Sequence, residues 1–466
     1  MALALTAQFV AHATGGRLEA GDSARVFAEV STDSRRLTDA EARARTLFIA
    51  LSGPNFDGHQ FAAPLLAAGA AGVMVSAPVE TTGAGVVIRV DDTLAALQRL
   101  ATAVRRASRA RVVAITGSAG KTTTKELTAD VLAANHRVFR NAGNLNNHIG
   151  LPLSLLELRH GAEIAVVELG MNHAGEIRRL VEIAEPDVRV WTNVGDAHIG
   201  YFGTRDAIAD AKAEILEHAS ASTVLVANGD DPLIAARLSG FAGRTMRFGV
   251  GDAADVRAID IVDRGFDGTE STVLIGGART TLRLRLPGRA NVMNALAAAA
   301  VAANESVSVQ TIADRLAQAA PVARRGEVRR LANGARIVDD SYNASPAAMM
   351  LALESLAATP AERRIAALGE MRELGDLSRG LHDACGAAAA AAGVSLLAVV
   401  GGADADGLAS GALRGGLAAD RILRFATSAE AAEVLPGLVR ADDVVLVKGS
   451  RGTRMDVVAD RFKEMA

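Results

Sequence analysis

Apolar and polar positions along this chain fall into short blocks of two alternating periods. Residues 112–116 form a continuous, largely β-branched apolar run, the pattern of a strand buried on both faces. The run breaks at Gly117, turns through Ser118, Ala119 and Gly120, and restarts at Lys121 and Thr122 with a helical pattern reaching Glu126. Residues 164–169, 188–194 and 223–228 repeat the buried-strand signature. Residues 246–287 carry short β-like runs, the segment 286–289 breaks them, and 291–304 predicts a helix. Further strands are predicted at 336–340, 364–368, 396–400 and 444–447, each followed by a helix. Earlier in the chain, 48–51 reads as a short strand, 101–111 as a connecting helix, and 31–36 and 55–61 as polar turns.

Strand–helix alternation of this kind implies an α/β fold. Three domains are expected: a small N-terminal α/β domain over residues 1–103, a central P-loop-type domain with a doubly wound sheet over 104–320, and a C-terminal Rossmann-like α/β domain over 321–466. The length of 466 residues supports that number, since one core does not grow so large. With 50% hydrophobic residues the chain can bury those cores. A formal net charge of −3 gives no field that demands nucleic acid or an anionic membrane. Cys385 is the single cysteine, so no disulfide framework or thiolate metal cluster forms within the chain, which suits a reducing cytoplasm. No Lys or Arg precedes Arg17, so a secretory signal is not expected. The uncharged stretch 384–403 is long enough to span a bilayer. Its weakly apolar alanines, Gly393 and the run 396–400 read instead as a helix turning into a buried strand.

Candidate chemistry collects at the ends of the predicted strands. Amide groups at the start of a helix after a glycine loop favour an anion, Lys121 adds a formal charge, and the Thr122 hydroxyl suits magnesium. The general P-loop spacing needs glycine at position 115, where this chain has Ile115. The simpler reading is a βα turn that happens to contain Gly-Lys-Thr. Glu168 and His198 also follow strands, and ligands of open α/β sheets bind beyond such ends. Thr122, Glu168 and His198 together suit magnesium bridging phosphates, although a lone histidine there is more often a hydrogen-bonding residue. Lys212 lies in a helical pattern and by itself reads as a solvated surface lysine.

The motifs and their order resemble the Mur ligases, ATP-dependent amide-forming enzymes of peptidoglycan synthesis, over almost the whole chain. Thr116 to Thr123, with Gly117, Ser118, Ala119, Gly120, Lys121 and Thr122, resembles the family's ATP loop, including its departure from the general P-loop. The run of Asn144, Asn146 and Asn147 and the segment from Glu168 through Asn172 and His173 are similar to the branch that adds D-alanyl-D-alanine. The resemblance makes His198 a metal-binding histidine and Lys212 a lysine carried as a carbamate, an anionic magnesium ligand. It assigns Asn291 and Asn294 to the adenine, Asp340 to the ribose, and Arg325 to the ATP site. Ser34, Arg35, Asp57 and His59 fall in stretches that resemble the UDP-binding domain. Tyr342, Asn343, Lys448 and Arg451 fall in motifs of the last domain. Lys448 and Arg451 are candidates for the acceptor's carboxylate, the other reading being surface charges after an edge strand. Ala290 and Arg324 depart from the pattern, where many relatives carry histidine and glycine. The Asp-Asn-Pro-Arg sequence of the neighbouring diamino-acid branch does not occur, and the chain has 368–375, LGEMRELG, instead.

The implied reaction joins D-alanyl-D-alanine to a UDP-N-acetylmuramoyl tripeptide through an acyl phosphate. Its implied cofactors are ATP, two Mg²⁺ ions and the carbamylated lysine, in a cytoplasmic monomer with no nucleic-acid partner. Lys121, His198 and Lys212 are the expected catalytic residues. The alternatives are folylpolyglutamate synthetase, which shares the ATP core, and a P-loop switch or motor that hydrolyses nucleotide without an acceptor amine. A non-catalytic binding module fits least, because so many polar groups gather at strand ends.

Overall fold

The computed structural model describes residues 3–80 and 84–464. By its internal contacts the chain divides into two compact units. The first comprises Met1–Ala114, His136–Met171 and Gly175–Val188, and the second Ile115–Asn135, Asn172–Ala174 and Arg189–Ala466.

The first unit contains a five-stranded sheet of β1 (Arg17–Ala20), β2 (Glu29–Ser31), β3 (Thr46–Ile49), β4 (Gly72–Val75) and β5 (Val86–Arg89), in the order β1-β5-β4-β3-β2. β2 to β5 pair in parallel and β1 runs antiparallel against β5. Phe48, Val73, Val75 and Val87 form its core with Leu65 and Leu66 of the helix Ala62–Ala67. The connecting helix begins earlier than the sequence pattern places it, at Thr93, and ends at Ser108. Asp92 decides the start, because its carboxylate accepts from the backbone N–H groups of Leu94 and Ala95. The strands β6 (Arg111–Thr116), β7 (Val138–Arg140) and β8 (Ile164–Glu168) follow, in the order β7-β8-β6. Every residue of β8 is buried, as its unbroken apolar run predicts.

In the second unit, the last residues of β6 begin a series with β9 (Val188–Trp191), β10 (Val224–Asn228), β11 (Arg244–Gly249), β12 (Val256–Asp263), β13 (Thr269–Ile275) and β14 (Ala278–Leu284). Their order is β6-β9-β10-β11-β12-β13-β14. β12, β13 and β14 are antiparallel neighbours, and β13 alternates strictly between buried and half-buried positions. The helix Gly288–Asn304 packs against the helix Lys121–Leu132, and its alanine run from Ala297 to Ala300 is buried.

A second sheet of this unit has six strands: β15 (Glu327–Arg330), β16 (Arg336–Asp340), β17 (Arg364–Gly369), β18 (Val394–Val400), β19 (Ile422–Phe425) and β20 (Val444–Lys448). The order is β15-β16-β20-β17-β18-β19, parallel except for β15. β20 is therefore a central strand, and Lys448 at its end lies between Asp340 and Leu368 in register. The stretch 384–403 is the end of the helix Ser378–Ala391, a left-handed turn at Gly393 (φ 69°), and β18. Among the described residues no helix is long and apolar enough to cross a membrane.

Candidate active site

A cavity of about 460 Å³ opens within the second unit. One wall is the loop between β6 and the helix Lys121–Leu132. Ile115 is fully buried inside β6, so the loop turns only at Gly117, which explains the missing glycine at position 115. Gly117 (φ 154°) and Gly120 (φ 79°) hold backbone conformations that other residues rarely adopt. A Cβ would lie 1.9 Å from the Thr192 hydroxyl at the first and 2.2 Å from Asn294 Oδ1 at the second. No side chain caps the helix at Gly120, so its start is built for an anion. Lys121 Nζ donates to the Gly117 carbonyl at 2.8 Å and is folded over the loop.

Residues after β9 clamp this loop. The Asn193 side chain accepts from the Ala119 N–H at 2.9 Å and donates to the Ala119 carbonyl at 3.0 Å. The Thr192 hydroxyl donates to the same carbonyl at 2.8 Å. Asn193 was not among the expected site residues. The strand expected over 188–194 ends at Trp191, which leaves Asn193 past its end and beside the loop that follows the neighbouring β6.

The expected adenine residues also line the cavity. Asn294 Oδ1 accepts from the Thr124 hydroxyl, Asn294 Nδ2 donates to Asn291 Oδ1, and Asn291 Nδ2 donates to the Pro287 carbonyl. The opposite wall comes from the six-stranded sheet. The Arg325 guanidinium stacks 4.1 Å above the Tyr342 ring. Lys448, only 3% exposed, donates to Asp340 Oδ2 at 2.6 Å and to the Asn343 carbonyl at 3.1 Å. The edge-strand reading of Lys448 is thus corrected: a lysine at the end of a central strand is buried and needs a carboxylate. Arg451 is exposed at the cavity rim.

His198 and Glu373 close one end. His198 Nδ1 lies 2.6 Å from Glu373 Oε2, and the Gly200 N–H donates to the Glu373 carbonyl at 2.9 Å. Both residues sit at φ 65°. Burial holds the imidazole below its usual pKa, Glu373 opposes that, and the charges of Lys121 and Lys212 add to it. Glu373 was unassigned from sequence, because only the fold carries it to a histidine 175 positions earlier. Lys212 is 2% exposed in the helix Arg205–Ala213, so the surface-lysine reading is also corrected. Lys212 and Thr122 do not line the cavity. His173, beside Asn172, packs edge-on against Tyr201 at 5.3 Å.

The remaining expected residues lie in the first unit. Glu168, 4% exposed, accepts from Asn146 Nδ2 at 2.8 Å. Asn147 caps the helix Gly150–Leu155 through the N–H groups of Ile149 and Gly150, and the Asn144 carbonyl accepts from the Asn146 N–H. Asp57 accepts from the His59 backbone N–H, the Ser52 hydroxyl and the His59 ring, which together lower its pKa to about 2. His59 Nε2 accepts from the Ser76 N–H at 2.9 Å, so its proton is on Nδ1. Ser34 opens a short 3₁₀ turn capped by Asp33, to which Arg35 is paired at 2.8 Å. Among the described residues no group of three or more His, Cys, Asp or Glu side chains is gathered to hold a metal. The expected magnesium ligands include a hydroxyl and a lysine, which such a grouping would not contain.

The sequence matches the Mur ligase middle domain over residues 115–302 and the Mur ligase, glutamate ligase domain over residues 324–451. The chain belongs to the Mur ligase family. Within it, the chain is 36% identical over 434 residues to the UDP-N-acetylmuramoyl-tripeptide–D-alanyl-D-alanine ligase of Bacillus subtilis, covering 92% of each. Its structure is similar to the crystal structure of MurF from Acinetobacter baumannii, with a TM-score of 0.89 and 32% identity over 99% of each chain. It is also similar to MurF ligase from Thermotoga maritima in complex with ADP, at a TM-score of 0.82 and 29% identity over 94% of this chain and 97% of that one.

Proposed function

We propose that this protein joins D-alanyl-D-alanine to a UDP-N-acetylmuramoyl tripeptide with cleavage of ATP, in peptidoglycan precursor synthesis. The observation that carries this reading is the 36% identity across 92% of a ligase of that name, in a chain whose glycine loop faces a second sheet across one cavity. In the reaction, the γ-phosphoryl group of ATP passes to the tripeptide's terminal carboxylate, giving an acyl phosphate and ADP. The amine of D-alanyl-D-alanine then forms the C–N bond, the C–O bond to phosphate breaks, and inorganic phosphate leaves while the amine releases its proton.

The central physical problem is that ATP and a carboxylate repel one another. Lys121 and the loop amides Gly117 to Thr123 are placed to offset this by holding the β/γ-phosphates. Asn291 and Asn294 take the adenine side, Asp340 the ribose, and Arg325 the nucleotide opposite them. Thr122, His198 and Lys212 of the second unit are the proposed ligands of two magnesium ions, with Glu168 a further oxygen donor that the resemblance assigns; when bound, the ions would supply positive charge to the transferring phosphoryl group. Lys212 is assigned as a carbamate. Its charge reaches His198, and at that point a carbamate would attract a magnesium ion that an ammonium would repel.

Ser34, Arg35, Asp57 and His59 are assigned to the UDP end of the substrate, and Asn144, Asn146, Asn147, Asn172 and His173 to its peptide arm. Tyr342, Asn343, Lys448 and Arg451 are assigned to the acceptor side. Because Lys448 is already bonded to Asp340, we assign the dipeptide's carboxylate to Arg451 and the orientation of Asp340 to Lys448. The three-domain division at 103 and 320 accords with sheets lying at 17–89, 111–284 and 327–448. The protein is assigned to the cytoplasm as a monomer.

The test is product analysis by mass spectrometry with ATP, UDP-muramyl tripeptides and a panel of amines. D-Alanyl-D-alanine should be joined about tenfold to a hundredfold better than single amino acids, the scale of leaving a buried partner unpaired. Comparable joining of meso-diaminopimelate, lysine or glutamate would overturn the assignment, and equal phosphate release without any amine would remove the protein from the ligases.

A further inference from the structure

We infer that the last helix, Asp456–Lys463, positions the nucleotide-side Arg325 and the Tyr342 ring on which it stacks, through a charge network that begins at Arg324. This rests on the reading of the cavity as the ATP site.

Arg324 sits in the left-handed backbone region at φ 61°, where a residue with a Cβ is disfavoured unless its surroundings hold it. What holds it is on the last helix. Arg324 Nη2 donates to Asp460 Oδ2 at 2.8 Å, and Nη1 lies 3.5 Å from Asp456 Oδ2. Lys463, one turn on from Asp460, contacts Asp460 Oδ1 at 3.0 Å and Asp339 Oδ2 at 2.8 Å. Asp339 is 1% exposed at the end of β16, and its other oxygen accepts from the hydroxyl and N–H of Ser341. The network therefore runs Arg324–Asp460–Lys463–Asp339–Ser341.

Its two ends are the neighbours of the cavity pair. Arg325 follows Arg324 in the chain, Tyr342 follows Ser341, and the Tyr342 N–H donates to the Arg324 carbonyl at 3.1 Å. The guanidinium–ring stack of Arg325 on Tyr342 is thus fixed at both of its backbone supports by one helix that does not itself line the cavity. The electrostatics agree in direction. Burial works against each charge, yet Asp460 is held below the usual carboxylate range by Lys463 and Arg324, and Lys463 is raised by Asp339 and Asp460. Arg324 and Asp460 are partly solvent-exposed, so the network adds little to global stability and responds to salt. Its effect is felt where geometry matters most, at the stacked pair.

The experiment is calorimetric titration of the full-length protein with Mg-ADP, with steady-state kinetics in parallel, for wild type, Asp460→Asn, Arg324→Gly and Arg324→Lys. Arg324→Gly keeps the left-handed turn and removes the whole side chain, guanidinium included. Asp460→Asn and Arg324→Gly should each weaken ADP binding about tenfold and raise the KM for ATP alike, the scale of one charge-assisted contact, with kcat within about twofold. Arg324→Lys should recover part of the loss. Added salt should weaken ADP binding more in wild type than in Asp460→Asn. Thermal unfolding should shift by only a few degrees. ADP binding within twofold of wild type in both Asp460→Asn and Arg324→Gly overturns the inference. A wild-type protein that binds no ADP overturns the reading of the cavity, and the inference with it.

Discussion

Lys121 and Lys212 are lysines of the same unit with opposite circumstances. Lys121 opens a helix and is folded over a half-exposed loop, with its amine held on the Gly117 carbonyl. Lys121→Ala should lower turnover by about 10²-fold or more, the scale of losing one preorganised contact, while the protein stays folded. Amide formation near the wild-type rate in the purified variant would remove Lys121 from the phosphates. Lys212 is buried in the middle of a unit, close enough to His198 for their charges to interact. Lys212→Ala should be nearly inactive, and acetate should restore part of the activity by replacing the carbamate's charge. A mass spectrum of the native protein without the added CO₂, together with full activity of Lys212→Ala, would sink that assignment. The place of Lys121 after the glycine loop suggested its role from the residues themselves, whereas the role of Lys212 came only from the family resemblance.

Two elements show how small residues set the packing. The helices Ser378–Ala391 and Asp406–Arg414 touch along their backbones. A Cβ at Gly386 would lie 2.0 Å from the Leu408 carbonyl oxygen. Gly386→Ala gains helix propensity of about 1 kcal/mol, but the helices must separate to admit the methyl group. The net expectation is a loss of about 1–2 kcal/mol on chemical denaturation, with turnover per folded molecule unchanged. Cys385, beside it, is 1% exposed, and burial pushes its thiol up to about 12. A disulfide reagent should therefore find no thiol in the native protein and one after unfolding. The sign of the pH effect follows: the unfolded thiol ionises near 9.0 and the native one only near 12, so the native state binds the extra proton between them. Stability through this group is present below pH 9 and falls as pH rises through that window.

At the scale of the second unit, the cavity exists because two sheets meet at a narrow seam. Gly200 lies against Glu373 and Gly375 there, and a Cβ would come within 2.6 Å of the Gly375 nitrogen. Since the obstacle is backbone on both sides, Gly200→Ala should force the seam apart. Turnover should fall by about tenfold or more, the sensitivity expected of a misplaced reacting geometry, while the far-ultraviolet circular dichroism stays unchanged. Wild-type turnover in this variant would show that the seam does not govern the reaction.

The strands and the glycine loop were legible because their information is local. An unbroken apolar run such as 164–167 reads as a doubly covered strand, and Gly117 and Gly120 mark a turn that other residues rarely make. The start of the helix at Thr93 was missed because its signal is one capping carboxylate, Asp92, rather than a period. Resemblance of motifs carried the reading to the family. What the residues could not announce was partnership across long separations: Asn193 on Ala119, Glu373 on His198, Lys448 on Asp340, and Arg324 on the last helix. The pairing of Lys448 with Asp340 depends on strand order, which places β20 between β16 and β17. Local periodicity records which residues are buried, but the order of strands arises only when several cores close together, and that order buried Lys448, which the residues alone left open as a surface charge.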